Sequence, residues 1–238
     1  MKSWGIRSGA RALAQPVTYL GIAMLVFLYS ALAYLLAADR RSAEVEAMSR
    51  GDNLVRVLDQ SYSRVFQSVD ATLLFLRKSH QENPSTFDIS AWVRQTSVQN
   101  ELTFEFTIVD RNGIIVGSTY SKGLLDAGRS DREYFRVQRD SVVDKVYISE
   151  PLTTRLIGRS AVIMSRRIVA SDGTFAGIVF ALLDPVQLAK LASPLNLGYG
   201  GSVVLLGLDG VLRARALNGE VDSSVLGRRF PPGAGVLG

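Results

Sequence analysis

Residues 158–185 read GRSAVIMSRRIVASDGTFAGIVFALLDP, and their pattern is the clearest indication of the fold class. Two apolar runs, residues 161–169 and 175–183, flank the turn-forming residues Ser171-Asp172-Gly173. Runs of this length that are rich in Val, Ile and Phe and are joined by a short polar turn are typical of β-strands. The sequence therefore predicts two strands connected by a tight turn. Arg166 and Arg167 face opposite sides of such a strand, so we expect at least one of them to be solvated.

A second hairpin is predicted upstream. Residues 104–109 and 114–117 are apolar-rich and flank Asp110-Arg111-Asn112-Gly113. The Asn-Gly pair suits the positive φ angles of a type I′ turn, and we expect that turn here. A further strand is expected at residues 145–149.

Two short helices complete this part of the sequence. Residues 131–141 (DREYFRVQRDS) predict a helix with Ser130 or Asp131 as its N-cap. Another helix is expected to begin after Asp88 or Ser90 and to run toward Gln99. Together with the strands, these helices indicate an antiparallel sheet flanked by helices.

A similar hairpin pattern returns near the end of the sequence. Residues 203–212 (VVLLGLDGVL) again place an apolar run on each side of a turn, and Gly210 falls 97 residues after Gly113. The pattern predicts two related sheet modules in series, the second of them incomplete, unless two hairpins resemble each other by chance. We therefore expect these 238 residues to be the amino-terminal part of a longer protein or a truncated one.

The N-terminal region predicts a membrane anchor. Residues 17–38 (VTYLGIAMLVFLYSALAYLLAA) carry no charge over 22 positions, which as a helix spans roughly 33 Å. A secretory signal peptide is the alternative, but its apolar core is shorter, about 7–15 residues. Charge does not fix the orientation, because three basic residues lie on each side of the segment: Lys2, Arg7 and Arg11 before it, and Arg40, Arg41 and Arg50 after it.

A long amphipathic helix is predicted after the anchor. Its apolar residues recur at helical spacing: Leu54, Leu58, Tyr62, Val65, Val69, Leu73 and Leu76. Pro84 and its neighbours are expected to end it. The stripe suits either packing against the protein's own core or the seam of a parallel homodimer.

Composition excludes several functional classes. The sequence has no cysteine and one histidine, His80, which removes thiol chemistry, iron–sulfur clusters and multi-histidine metal sites. The net charge of +5 comes mostly from the first eleven residues, so nucleic-acid binding is not indicated. No phosphate-binding loop or nucleophile elbow is present, no catalytic set can be assembled, and no cofactor is expected.

The order of these fragments resembles the double Cache, or tandem PAS-like, sensor regions of bacterial membrane receptors. The resemblance covers roughly residues 40–230 and looks most like the input regions of GGDEF diguanylate cyclases. Sensor histidine kinases and chemoreceptors share the input fold. Its matching fragments are Asp131-Arg132-x-Tyr134-Phe135, Ile148-Ser149-x-Pro151, Ser165-Arg166-Arg167, and Asp172-Gly173-x-x-x-Gly177-Ile178-Val179 running into Asp184-Pro185.

The resemblance implies an α+β fold with a definite layout. A cytoplasmic N-terminus (1–16), a transmembrane helix (17–38) and a stalk helix (39–82) would precede a membrane-distal Cache/PAS-like sensor module (83–193). The start of a second, membrane-proximal module (194–238) would follow. The protein would then sit in the inner membrane of the cell as a single-pass protein, with its sensor in the periplasm.

The resemblance also nominates ligand-binding residues. Amino-acid sensors of this family use a helix motif and a strand-end aspartate that correspond to Arg132, Tyr134, Phe135 and Asp184. Their amine-binding positions are replaced here by Ala127, Leu152 and Thr154, which favours an organic acid or another small anion over an amino acid. Arg132 could instead be a structural residue that pairs with Asp131 or Glu133.

Two functions stay open at this point. The first is a non-enzymatic input region that senses a small ligand outside the cytoplasm and works as a homodimer through the stalk helix. The alternative is a membrane-anchored protein-interaction module.

Overall fold

The computed structural model describes residues 7–84, 86–96, 103–119, 128–154, 158–192 and 200–231. Contacts divide the chain into two compact units, Met1–Arg56 and Val57–Gly238. One helix, α1 (Arg7–Glu82), contributes to both units. In the first unit α1 contains Tyr19–Arg40, a segment of 22 residues with a hydropathy of 2.2 that is long and apolar enough to cross a membrane.

The second unit contains three more helices and nine strands within the described residues. The helices are α2 (Ile89–Thr96), α3 (Glu133–Asp140) and α4 (Pro185–Lys190). The strands are β1 (Thr103–Asp110), β2 (Ile115–Ser118), β3 (Tyr147–Ile148), β4 (Leu152–Thr153), β5 (Ser160–Val169), β6 (Phe175–Leu183), β7 (Ser202–Leu206), β8 (Leu212–Leu217) and β9 (Glu220–Val221). The predicted α+β architecture is confirmed.

The first sheet is antiparallel and has the order β2-β1-β6-β5-β3, with β4 also paired to β5. The hairpin predicted from residues 158–185 forms β5 and β6 at the centre of this sheet. Because successive side chains of a strand point to opposite faces, the sheet has one apolar layer on each face. Phe106 and Ile108 belong to the layer that includes α1, whereas Ile163 and Phe180 belong to the layer that includes α3.

The apolar stripe of α1 packs inside this unit. Leu58, Tyr62, Val69, Leu73 and Leu76 are buried in the same core cluster as the sheet residues. Of the two alternatives for the stripe, packing against the protein's own core is therefore the observed one. The homodimer stays a prediction, but this stripe is not available as its seam.

Three hairpin turns share one geometry, which differs from the predicted type I′ turn. In each turn the final glycine donates its N–H to the carbonyl three residues earlier: Gly113 to Asp110, Gly173 to Ala170 and Gly210 to Gly207. These glycines have φ angles of 86°, 82° and 75°, and Asn112 is not among the non-glycine residues with positive φ. A type I′ turn needs two positive φ angles, so the prediction for Asn112-Gly113 was wrong in this detail.

The second sheet, β7-β8-β9, repeats the first hairpin pattern. Gly113 and Gly210 stand 97 residues apart in equivalent turns, and the carbonyl of each accepts an N–H from a later segment, from Arg129 and Phe230 respectively. Arg213 on β8 donates to the carbonyls of Ser149 and Ile148, at 3.1 and 3.3 Å, and so ties this sheet to the end of β3. The turn is therefore repeated as expected, and the division into two related modules stays a prediction.

The structure identifies the N-cap residues of α3 and α2. The N-cap of α3 is Arg132, with φ −81° and ψ 141°, rather than Ser130 or Asp131. Asp88 caps α2, since its Oδ1 accepts the N–H groups of Ser90 and Ala91 at 2.8 and 3.1 Å. The expected end of α2 at Gln99 lies outside the described residues.

Candidate functional site

The candidate site is built around the start of α3. The N–H of Arg129 donates to the carbonyl of Gly113 at 2.8 Å, which anchors this segment to the first hairpin turn. The N–H of Arg132 then donates to the carbonyl of Arg129 at 3.0 Å. This turn brings two arginines to the N-terminal end of one helix.

Hydrogen bonds fix α3 on the sheet below it. Gln138 is buried and donates from Nε2 to the carbonyls of Lys145 and Ser165, at 3.0 and 2.8 Å. The Ser165 hydroxyl donates to the carbonyl of Tyr134 at 3.1 Å. Because these bonds hold the helix on β5, the side chains at its N-terminal end have a defined position above the sheet.

A small cavity lies between the start of α3 and the sheet. Its volume is about 20 Å³, enough for one water-sized group. The residues that line it come from the arginine turn, α3 and the strands β4 to β6: Arg129, Arg132, Tyr134, Leu152, Thr154, Ile163, Phe180 and Leu182. The cavity therefore has an apolar floor and a strongly basic wall.

The basic wall consists of two arginines that differ in burial. Arg129 is buried and Arg132 is half-buried. Within the described residues Arg132 forms no salt bridge with Asp131 or Glu133. The structure thus gives no support to the alternative that Arg132 is paired within its own helix start.

Tyr134 forms the aromatic side of the cavity. It is buried, and its ring is tilted against that of Phe180 at a centroid distance of 5.2 Å. Burial raises the pKa of its hydroxyl to about 12, although the nearby charges of Arg129 and Arg132 act in the opposite direction. The phenol is accordingly neutral at physiological pH and can serve as a hydrogen-bonding group.

The structure brings two of the four predicted site residues together. Arg132 and Tyr134 line the same cavity. Phe135 lies in the core with no exposed surface, and its ring meets that of Phe175 edge-on at 5.5 Å. It supports the helix from below instead of lining the cavity.

Asp184 lies elsewhere, at the N-cap of α4. Its Oδ1 accepts the N–H of Val186 at 2.8 Å, and its Oδ2 accepts from Arg159 at 3.2 Å. These contacts use both carboxylate oxygens for helix capping and an ion pair. Asp184 borders a second, wider cavity of about 470 Å³ between β4, α4 and the segment with Ser223 and Leu226.

Sequence reasoning missed two charged residues close to the cavity, Arg129 and Glu105. Glu105 lies on β1 between Phe104 and Phe106, and a charged residue inside an apolar strand was the available signal. Arg129 precedes the predicted helix and gave no comparable signal. The replaced positions Leu152 and Thr154 do line the cavity, while Ala127 lies outside the described residues.

The expectation that Arg166 or Arg167 is solvated was wrong. Arg166 binds Asp70 through Nε and Nη2, at 2.5 and 2.8 Å, and Asp144 through Nη1 at 3.0 Å. Arg167 is buried and donates to the carbonyl of Ser141. Both arginines therefore hold structure together on opposite sides of β5.

Solved structures show what this fold is similar to. The extracellular domain of rpHK1S-Z16, assigned as a histidine kinase, matches with a TM-score of 0.64 and 24% sequence identity, over 75% of this chain and 72% of that one. An extracellular ligand binding receptor from Desulfohalobium retbaense matches with a TM-score of 0.59 and 16% identity, over 74% of this chain and 32% of that one.

A third similar structure is the ligand-binding domain of the Pseudomonas aeruginosa amino acid chemoreceptor PctC in complex with GABA. It has a TM-score of 0.53 and 13% identity, over 67% of this chain and 72% of that one. No family model and no curated protein matches the sequence. The chain thus shares the Cache-like fold of extracellular sensory domains, which confirms the predicted resemblance at the level of fold.

Proposed function

We propose that this chain is the extracytoplasmic input region of a transmembrane signalling protein and binds a small ligand at the start of α3. The observation that carries the proposal is the half-buried Arg132, which forms no ion pair within the described residues and lines a cavity beside a second arginine. A guanidinium in this position is suited to bind a carboxylate or another small anion through two parallel hydrogen bonds. Tyr134 supplies an aromatic wall.

The similar structures support ligand sensing over the protein-interaction alternative. They include a receptor described as ligand-binding and a chemoreceptor domain that holds GABA. The cavity lies on the side of the sheet that carries α3, and the opposite layer contains α1. In this arrangement, a change at the ligand site on one face of the sheet can be passed through the sheet to the long helix on the other face.

A continuous set of contacts connects the site with α1. The segment after α3 places Asp144 between Arg77 of α1, at 2.9 Å, and Arg166 of β5, at 3.0 Å. Arg166 in turn binds Asp70 of α1. Because a cavity of about 20 Å³ admits only a water-sized group, a larger ligand requires its walls to move, and these contacts would carry the movement of α3 to α1.

We further propose a membrane arrangement in which Tyr19–Arg40 crosses the inner membrane and the second unit lies in the periplasm. The sequence resemblance favours a GGDEF output, and the similar structures are compatible with kinase or chemoreceptor outputs. A reporter that is active only in the periplasm, fused after Ser79, should be active. A signal from a cytoplasm-only reporter at that position would contradict this topology.

The binding proposal is tested by replacing Arg132 in the full chain, purified in detergent micelles. Organic acids and amino acids are screened by thermal shift, and a ligand that stabilises the wild type is titrated against Arg132→Ala. Loss of two charge-assisted hydrogen bonds should cost about 1.5–3 kcal/mol of binding, which is more than tenfold in affinity. Arg136→Ala is the matched control, because Arg136 is exposed on the same helix. Equal affinity of the Arg132 variant and the wild type would reject the site.

A further inference from the structure

Glu105 is a buried carboxylate with one unused oxygen. Its side chain lies on β1, and only 1% of the residue is exposed. Oε1 accepts hydrogen bonds from the hydroxyls of Thr107 and Ser118, the latter at 2.7 Å. Oε2 is buried and has no hydrogen-bond partner within the described residues. A buried carboxylate oxygen without a donor is costly, so its presence calls for a ligand or a function.

Strand register places Glu105 next to residues that line the candidate cavity, although Glu105 is not itself one of the lining residues. Glu105 pairs with Leu182, and Thr107 pairs with Phe180, in the antiparallel ladder between β1 and β6. Leu182 and Phe180 both line the cavity. Paired residues of adjacent strands lie on the same face of a sheet, so Glu105 is on the face that also carries the cavity.

Electrostatics agrees with this placement. The charge of Glu105 acts on the hydroxyl of Tyr134 and raises its pKa, as the charges of Arg129 and Arg132 lower it. Asp131 acts in the same direction as Glu105, so two acidic and two basic groups influence this one phenol. Glu105 forms no ion pair with the described residues, so its charge is available to a cation.

We propose that Glu105 accepts the cationic group of the ligand through Oε2, and that the ligand is a zwitterion whose anionic group meets Arg132. This inference rests on the proposed function and narrows it from small anions to amino carboxylates. It also changes the expectation drawn from Leu152 and Thr154. Those positions lack the amine-binding groups, but an acid on β1 supplies the complementary charge from a different strand.

The test compares ligand pairs that differ only in the amino group. The probes are L-valine with isovalerate, L-alanine with propionate, and γ-aminobutyrate with butyrate. Each is titrated by calorimetry against the full chain in detergent micelles, and against Glu105→Gln, which keeps the size of the side chain but removes its charge. Glu220→Gln is the control, because Glu220 is exposed on the second sheet.

The proposal predicts that the aminated member of at least one pair binds at least tenfold more tightly to the wild type. Glu105→Gln should abolish this preference by weakening the aminated member alone, and Glu220→Gln should preserve it. If Glu105→Gln fails to fold, Glu105→Asp replaces it, since shortening the side chain withdraws the carboxylate and should weaken the aminated member tenfold.

Several results would overturn the inference. An aminated preference that survives unchanged in the Glu105 variant rejects the role of Glu105. Equal or tighter binding of the deaminated member rejects the zwitterionic ligand. If Arg132→Ala then loses binding of the deaminated member, the proposed anion site is still supported. Absence of binding for every pair rejects the inference, and the proposed function then depends on the wider thermal-shift screen.

Discussion

The ion pair between Asp70 and Arg166 gives the most direct test of how α1 is held on the sheet. Asp70 accepts from Nε and Nη2 of Arg166, at 2.5 and 2.8 Å, in a two-point contact between α1 and β5. The side chains are 23% and 12% exposed, so the pair is only partly shielded from water. Asp70 also raises the pKa of the Arg166 guanidinium, which reflects the same attraction.

The expected magnitude follows from this partial burial. Removing one partner of a fully buried pair costs about 3–5 kcal/mol, and an exposed pair contributes about 0–1 kcal/mol. Asp70→Asn keeps the shape but loses the charge and one good acceptor, and Arg166 retains Asp144 at 3.0 Å. We therefore expect a loss of about 2 kcal/mol in the free energy of unfolding, which lowers the melting temperature by roughly 4–8 °C for a chain of this size.

The assay is thermal and urea unfolding of the full chain in detergent micelles, with Asp70→Asn, Arg166→Gln and the double variant forming a mutant cycle. The coupling energy should be about 1–2 kcal/mol. Asp140→Asn is the matched control, because Asp140 pairs only with its exposed neighbour Arg139 among the described residues, and it should leave the melting temperature unchanged. A coupling energy near zero, or equal effects of Asp70→Asn and Asp140→Asn, would refute the view that this contact holds α1 to the sheet.

Two further predictions concern the sheets. Gly177→Ala should cost more than about 3 kcal/mol of stability or prevent folding, because φ is 144° and a Cβ would lie 2.0 Å from the Val109 carbonyl oxygen. Gly173→Ala is the control, since φ is 82° but the space around it is open, and it should cost only about 1 kcal/mol in the same unfolding assay. The Arg213 hydrogen bond lowers the pKa of Asp209 to about 2 from an ordinary 3.8, so this carboxylate stabilises the fold above about pH 4 and the effect is lost as the pH falls toward 2. In Asp209→Asn, the free energy of unfolding should fall by about 1 kcal/mol less between pH 6 and pH 2 than in the wild type, a value reduced because the Asp209 side chain is 38% exposed. Identical pH profiles of unfolding for the variant and the wild type would contradict this role of Asp209.

Local patterns were sufficient to predict most elements of this fold. The hairpin of β5 and β6, the helix α3 and the repeated turn at Gly210 all depend on residues that are close in sequence, such as Asp172-Gly173. The turn type was missed because Asn-Gly is compatible with more than one geometry. In the structure the Asp110 carboxylate accepts the N–H groups of Asn112 and Ile114, at 2.9 and 2.8 Å. These bonds stabilise the observed turn, in which Gly113 but not Asn112 has a positive φ angle.

The roles of individual polar residues were less predictable, because they depend on contacts between distant segments. Asp184 matches a ligand-binding position by pattern, but the helix that begins directly after it uses the carboxylate as an N-cap. Arg166 is bound by Asp70, which is 96 residues away. Glu105 is close to the cavity only because β1 pairs with β6, a register that its own strand does not reveal.

Under the proposed function, the geometry of the site predicts that larger ligands cause larger movements. A cavity of about 20 Å³ is smaller than any amino carboxylate, so under the proposed function the bound state must differ from this conformation. The apolar floor of Ile163, Phe180 and Leu182 belongs to the two central strands, where close packing resists displacement. The start of α3 is the more movable wall, and Gln138 couples any shift of that helix to the segment that carries Asp144. Larger ligands should therefore displace Asp144 further from Arg77 than smaller ones. The ion pairs on α1 would then be the contacts through which ligand binding moves that helix.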